Sequence, residues 1–208
     1  MPNAEKFWDK MADKYSKSPI KNMAAYTKTV DSTKAHLSGQ DSVLEIGCGT
    51  GSTALLLAGS VKLITASDIS SNMIGIAKAK AATQRIENVA FVHADAFSDT
   101  FESGSFDAIV AFNVLHLLED LPAQFRRINA LLRPGGRFIS KTVCLDEHTR
   151  LWRIPIVLAK MVGLAPPVEC LTFGALEGAM SGAGFEIVET GEFSTSRPPS
   201  RFIVAKKP

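Results

Sequence analysis

The chain has 208 residues, 46% of them hydrophobic and 21% charged, and a formal net charge of +2. That length and balance fit one soluble domain with a full core. They exclude a strongly basic nucleic-acid surface: the lysines near the two ends (Lys6, Lys10, Lys14, Lys17, Lys21; Lys206, Lys207) are interspersed with other residues and read as solvated. No run reaches about 18 apolar residues, so no membrane span is expected. Cys48, Cys144 and Cys170 are odd in number and far apart. They offer neither a disulfide framework nor a C-x-x-C site, so no metal site is read and a reducing cytoplasm is expected. The N-terminus lacks an apolar stretch of the signal-peptide type.

Residues 4–15 and 22–37 read as two helices broken at Ser18-Pro19, with Phe7, Met11 and Tyr15 recurring on one face. Ser38-Gly39 ends the second. Val43–Gly51, VLEIGCGTG, then reads as a strand, Ser42–Ile46, running into a turn with Gly47, Gly49 and Gly51 at alternate positions. Ser52–Ala58 begins a helix. Glycines at such a turn allow a ligand close to the backbone and supply positive φ. Glu45 inside the apolar run needs a partner near the strand end. Read from Gly49, GTGSTA also satisfies the looser dinucleotide form G-x-G-x-x-A, which supports a nicotinamide-dependent oxidoreductase as the alternative. That register forces Gly47 and Glu45 into the strand.

Lys62–Ser67 is the second strand, ending at Asp68. An acid about twenty residues beyond the glycines can accept both ribose hydroxyls of an adenosine. Asp68 could instead cap the helix Ser71–Thr83, but Ser70 serves that purpose as well. Val89–His93 is a third strand, followed by Ala94-Asp95-Ala96. Phe106–Phe112 is almost wholly apolar, as a central parallel strand should be. Asn113–His116 follows at its ligand-facing end. His116 has the reference pKa of a general base, yet could equally pack or cap. Leu121–Leu132 is an amphipathic helix with Pro122 near its start, Arg133–Gly136 a turn, and Arg137–Val143 a strand. Between Asp146 and Cys170 the apolar residues, Trp152 and Met161 among them, exceed what one helix face needs, and Pro155 interrupts the helix. This stretch is expected to form a lid over an apolar acceptor. Leu171–Ala183 is a further helix, and Phe185–Glu189 and Phe202–Lys206 are strands whose direct connection permits an antiparallel pair.

The G-x-G-x-G turn with an acid two residues ahead resembles motif I of the class I S-adenosylmethionine-dependent methyltransferases, and LLRPGGRFIS resembles that family's segment after motif IV. The likeness runs from about residue 41 to 206 and is similar to the small-molecule group that includes quinone-biosynthesis methyltransferases. It implies an α/β fold with a doubly wound, mostly parallel seven-stranded, Rossmann-like sheet ending in an antiparallel hairpin. The whole chain is then one domain, 1–208, with an N-terminal helical cap (1–38) and a lid insertion (146–170). The implied cofactor is S-adenosylmethionine. Glu45, Gly47, Cys48, Gly49, Gly51 and Asn113 would surround its methionyl part, Asp68 and Ile69 the ribose, and Met73, Asp95 and Ala96 the adenine. In the family the N-terminal segment closes over the cofactor, which makes Tyr15 a candidate beside His116 for a catalytic role. The loop after Phe112 lacks the Asn-Pro-Pro-aromatic sequence of the branch that methylates DNA bases or glutamine amides, and it lacks the acid of the metal-dependent catechol-type branch. A small-molecule acceptor follows, with no nucleic acid or integral membrane association, and a homodimer left open. A cofactor-binding protein without catalysis is a further alternative.

Overall fold

The computed structural model describes residues 2–95, 98–147, 168–193 and 198–208. Seven strands form one sheet in the order β3-β2-β1-β4-β5-β7-β6. They are β1 (Ser42–Ile46), β2 (Leu63–Asp68), β3 (Val89–His93), β4 (Phe106–Phe112), β5 (Leu132–Val143), β6 (Glu186–Gly191) and β7 (Ser200–Lys206). Strands β1 to β5 pair in parallel, while β7 runs antiparallel to both β5 and β6. The order reverses beside β1. In an open parallel sheet the crevice outside the strand ends at that reversal is where ligands bind.

Burial on both faces explains the composition of the central strands. In β4, Ala108, Ile109, Val110 and Ala111 are all fully buried. Alternate residues feed two apolar clusters. One joins Leu44, Ile109 and Phe138 to helices α5 (Leu121–Leu131) and α6 (Phe173–Gly182). The other joins Val43, Val110 and Ile139 to α2 (Met23–Lys34), α3 (Ser52–Leu57) and α4 (Ser71–Gln84). The remaining helix, α1 (Pro2–Lys17), packs along α4. Helix starts follow the capping residues. Asn22 accepts from Ala25 N, Ser70 from Met73 N, Asp120 from Ala123 N and Thr172 from Ala175 N. With Ser70 as the cap of α4, Asp68 is free for another task.

Arg133–Gly136 differs from expectation. It is a bulge within β5: Phe106 pairs with Leu132 and Ala108 with Arg137, so five steps of β5 stand against two of β4. Three contacts hold the extra residues in the sheet. The Arg133 guanidinium pairs with Asp107, Gly135 N donates to Lys207 O, and Lys207 N donates to Gly136 O. The expected lid lies outside the described residues apart from its ends, and Trp152, Pro155 and Met161 with it. Those ends sit at the carboxyl edge of the sheet, where Asp146 N donates to Leu171 O at 3.0 Å and Glu169 N to His116 O at 2.7 Å. Among the described residues no helix is long and apolar enough to cross a membrane.

Phe138 is fully buried and its ring meets Phe125 at 6.0 Å and Phe185 at 5.8 Å. Phe138→Ala should cost about 3–5 kcal/mol of stability, the range for truncating a buried aromatic. Urea denaturation checks this, and a loss under about 1 kcal/mol would mean that the α5–α6 side is loosely packed.

Candidate active site

The turn between β1 and α3 is fastened to the end of β2. Cys48 N donates to Ser67 O at 2.9 Å, and Gly49 N donates to Asp68 Oδ2 at 2.8 Å. The other oxygen of Asp68 accepts from Ser70 N at 2.9 Å. Burial raises the Asp68 pKa, opposed by these two N–H donors and by His93. The glycines of the turn do different things. Gly51, at φ +75, touches α4 and β3: a Cβ there would lie 2.7 Å from the Phe91 ring and 2.8 Å from Ala77. It serves packing and lines no cavity described below. A Cβ on Gly47 would strike Val114. Gly49, at φ +53, lines both cavities, and a Cβ there would only touch the Tyr15 ring at 3.8 Å. It is the position where a ligand can lie against bare backbone.

Two cavities meet over this turn and share Tyr15, Gly47, Gly49, Phe112 and Asn113 as a common wall. The first, about 130 Å³, runs past Asp68, Ile69, Met73 and Asp95, with Val114, Leu117 and Leu118 opposite and Ala4 and Trp8 of α1 above. The second, about 480 Å³, is richer in polar groups: Glu45, Cys48, Tyr26, Thr29, Thr50, Thr53, Lys80 and Lys141. Most of the expected site residues thus converge on one place. Ala96 lies outside the described residues.

Glu45 is 2% exposed and its Oε2 has no hydrogen-bond partner. Burial and the nearby charge of Asp68 push its pKa up to about 8, with the Ala54 N–H pulling the other way. The carboxyl is therefore mostly protonated at neutral pH. Burial likewise raises the thiol of Cys48. Tyr15 is 51% exposed as a residue, yet burial around its hydroxyl and the charge of Asp68 raise its pKa. Tyr26 shares a 3.1 Å hydrogen bond with Thr53.

Asp9 and Glu5 hold α1 in place, which the helical spacing alone did not reveal. Asp9 Oδ1 accepts from Ser70 Oγ at 2.6 Å and from Asn72 N at 3.1 Å, and Asn72 Nδ2 donates to Asp9 O. Glu5 lies 3.3 Å from His93 Nε2, which also donates to Ile69 O at 2.9 Å. His116 sits in a short turn, Leu115–Leu117, and lines neither cavity. Burial pulls its pKa down to about 4 and its Nδ1 has no partner, so the ring is neutral at pH 7.

Comparison with known proteins agrees with this geometry. Residues 43–136 match the methyltransferase-domain family. A demethylmenaquinone methyltransferase of Staphylococcus aureus (strain MRSA252) is 36% identical over 106 residues, covering 50% of this chain and 42% of that protein. The chain thus spans less than half the length of this relative. Among solved structures, geranyl diphosphate methyltransferase in complex with S-adenosylmethionine superposes with a TM-score of 0.73 at 14% identity, over 88% of this chain and 85% of that one. The [4+2]-cyclase SpnF superposes at 0.74 with 20% identity, over 87% and 80%. These two likenesses concern the fold alone. The family match thus spans residues 43–136, and the solved structures add a shared fold.

The hydroxyl of Ser70 and the N–H of Asn72 hold the Asp9 carboxyl below its usual pKa. A depressed carboxylate contributes to attachment above the unfolded value, near 3.9, and the contribution fades as pH falls through the folded value. Trp8 fluorescence in a Trp152→Phe background should therefore report loosening of α1 only below about pH 4. Asp9→Asn should loosen α1 at pH 7 as well. An Asp9→Asn protein with the wild-type Trp8 signal at both pH values would contradict the anchoring role.

Proposed function

We propose that this chain transfers a methyl group from S-adenosylmethionine to a small, largely apolar acceptor. The observation that carries the reading is the meeting of Asp68 and Gly49 in the first cavity, where it joins the polar one, in a chain whose residues 43–136 match the methyltransferase-domain family. The donor's own shape suits this pair of cavities. Asp68 would accept the ribose hydroxyls. Ile69, Met73 and Asp95 would border the nucleoside, and Ala96 keeps only the adenine role that the family likeness implies. Gly47, Gly49 and Asn113 would flank the sulfur, and Cys48 and Glu45 the amino-acid end. Protonated Glu45 can donate a hydrogen bond there without adding charge.

S-adenosylmethionine supplies a methyl on a positively charged sulfur that is already a good leaving group. The chain's contribution is then positioning and exclusion of water. Trp8 and Tyr15, on the anchored α1, cover the shared wall. Phe112, Val114, Leu117 and Leu118 give the acceptor side an apolar lining, and the Staphylococcus relative is named for demethylmenaquinone. His116, neutral at pH 7, lines neither cavity and would have to move to act as a base. The unbridged thiols of Cys48 and Cys144 support a reducing cytoplasmic setting.

Calorimetry should show S-adenosylhomocysteine binding and NAD not binding; tighter binding of NAD would overturn the reading. Asp68→Ala should weaken S-adenosylhomocysteine by roughly 1.5–3 kcal/mol, the range for hydrogen bonds to a charged group. A folded variant with an unchanged dissociation constant would reject the ribose role.

A further inference from the structure

We infer that the second cavity contains a binding site for an oxyanion, a carboxylate or comparably acidic oxygen, built on the ammonium of Lys141. The choice of candidate ligands rests on the methyl-transfer reading; the site itself rests on the residues of the cavity.

Lys141 stands between the buried Ser140 and Thr142 of β5, with aromatic side chains on both neighbouring strands. Its register partners are Phe112 on β4 and Phe202 on β7. Ile139, two residues earlier and so on the same face, packs with Phe202 in the apolar cluster. The lysine therefore leaves the core at the carboxyl edge of the sheet, where it lines the second cavity with Glu45 and Tyr26. Its carbonyl accepts from Asn113 N at 2.8 Å, which fixes its backbone against the wall shared by the two cavities.

A lysine in such a place normally has a counter-ion or reaches water along its stem. Lys141 is half-buried, and its ammonium has no hydrogen bond or ion pair among the described residues. The two other lysines of the cavity differ: Lys21 is exposed, and the Nζ of Lys80 donates to Thr50 Oγ1 at 2.8 Å and Ser52 Oγ at 3.2 Å. Burial lowers the pKa of Lys141, which marks the cost of leaving it unpaired. The acid in the same cavity does not balance it. Glu45 is buried, its Oε2 has no partner, and it is largely protonated at neutral pH. A neutral carboxyl and an unpaired cation lining one recess make a receptor for an anion, with the carboxyl as an additional donor. Two sources supply that chemistry: the amino-acid carboxylate of the methyl donor, and an acidic oxygen on an otherwise apolar acceptor.

The test uses the whole chain with Lys141→Met and Lys141→Arg, each checked for folding by circular dichroism. The probes are S-adenosylhomocysteine, 5′-methylthioadenosine, which lacks the amino-acid end, and benzoate added to the S-adenosylhomocysteine complex. If the donor supplies the anion, Lys141→Met weakens S-adenosylhomocysteine at least tenfold, leaves 5′-methylthioadenosine unchanged, and Lys141→Arg recovers much of the loss. If the acceptor supplies it, S-adenosylhomocysteine binds both variants as wild type, and benzoate binds the wild-type complex but not the Lys141→Met complex. The inference is overturned if Lys141→Met, or Lys141→Gln should the methionine variant not fold, alters neither ligand, or if benzoate fails to bind wild type while S-adenosylhomocysteine is unaffected. A wild-type protein that binds neither nucleoside would instead defeat the methyl-transfer reading, and benzoate binding to the free protein would then decide the role of Lys141.

Discussion

The hydrogen bond from Gly49 N to the carboxylate of Asp68 ties the two halves of the site together. It joins the glycine turn after β1 to the end of β2, and the second oxygen of the same carboxylate takes the N–H of Ser70 at the start of α4. Hydrogen bonds to a charged group contribute about 1.5–3 kcal/mol each. They hold the turn where bare backbone at Gly49 faces the ligand space, while the packed Gly51 and Gly47 keep its flanks close to β3 and to the loop after β4. The cost is a partly buried carboxylate. Protonation of Glu45 keeps a second full charge from accumulating beside it.

The cover over this arrangement is carried by polar contacts. Helix α1 contributes Ala4, Trp8 and Tyr15 to the first cavity, and Asp9 and Glu5 attach it to α4, Asn72 and His93. Exposed contacts of this kind are individually weak. An element held by a few of them can release and re-form without disturbing the two apolar clusters on which the sheet depends. On the proposed reading, this suits a segment that would let the methyl donor pass.

Much of this was legible in the chain. The strands Ser42–Ile46, Val89–His93 and Phe106–Phe112 have the expected bounds; for the first and last, central parallel strands are mostly apolar runs bounded by polar or turn residues. Ser70, rather than Asp68, caps α4, as its position suggested. The misreading of Arg133–Gly136 as a plain turn arose because its pairing with Asp107 and Lys207 is distant in sequence. The same limit hid Asp9, sixty-one residues from Ser70. Gly51 looked like part of a ligand loop because spacing cannot tell a glycine that faces a ligand from one pressed against Phe91. Lys141 follows the apolar pair Phe138-Ile139 in β5, but its lack of a partner is visible only in three dimensions.

On the proposed reading one donor molecule lies across the shared wall, with its nucleoside beside Asp68 and its amino-acid end beside Glu45. A crystal structure of the S-adenosylhomocysteine complex tests this most directly. The account predicts ribose hydroxyls within hydrogen-bond distance of Asp68, sulfur over Gly49 and the amino-acid end in the larger cavity. Density for the nucleoside in the larger cavity, or a ribose out of reach of Asp68, would contradict it.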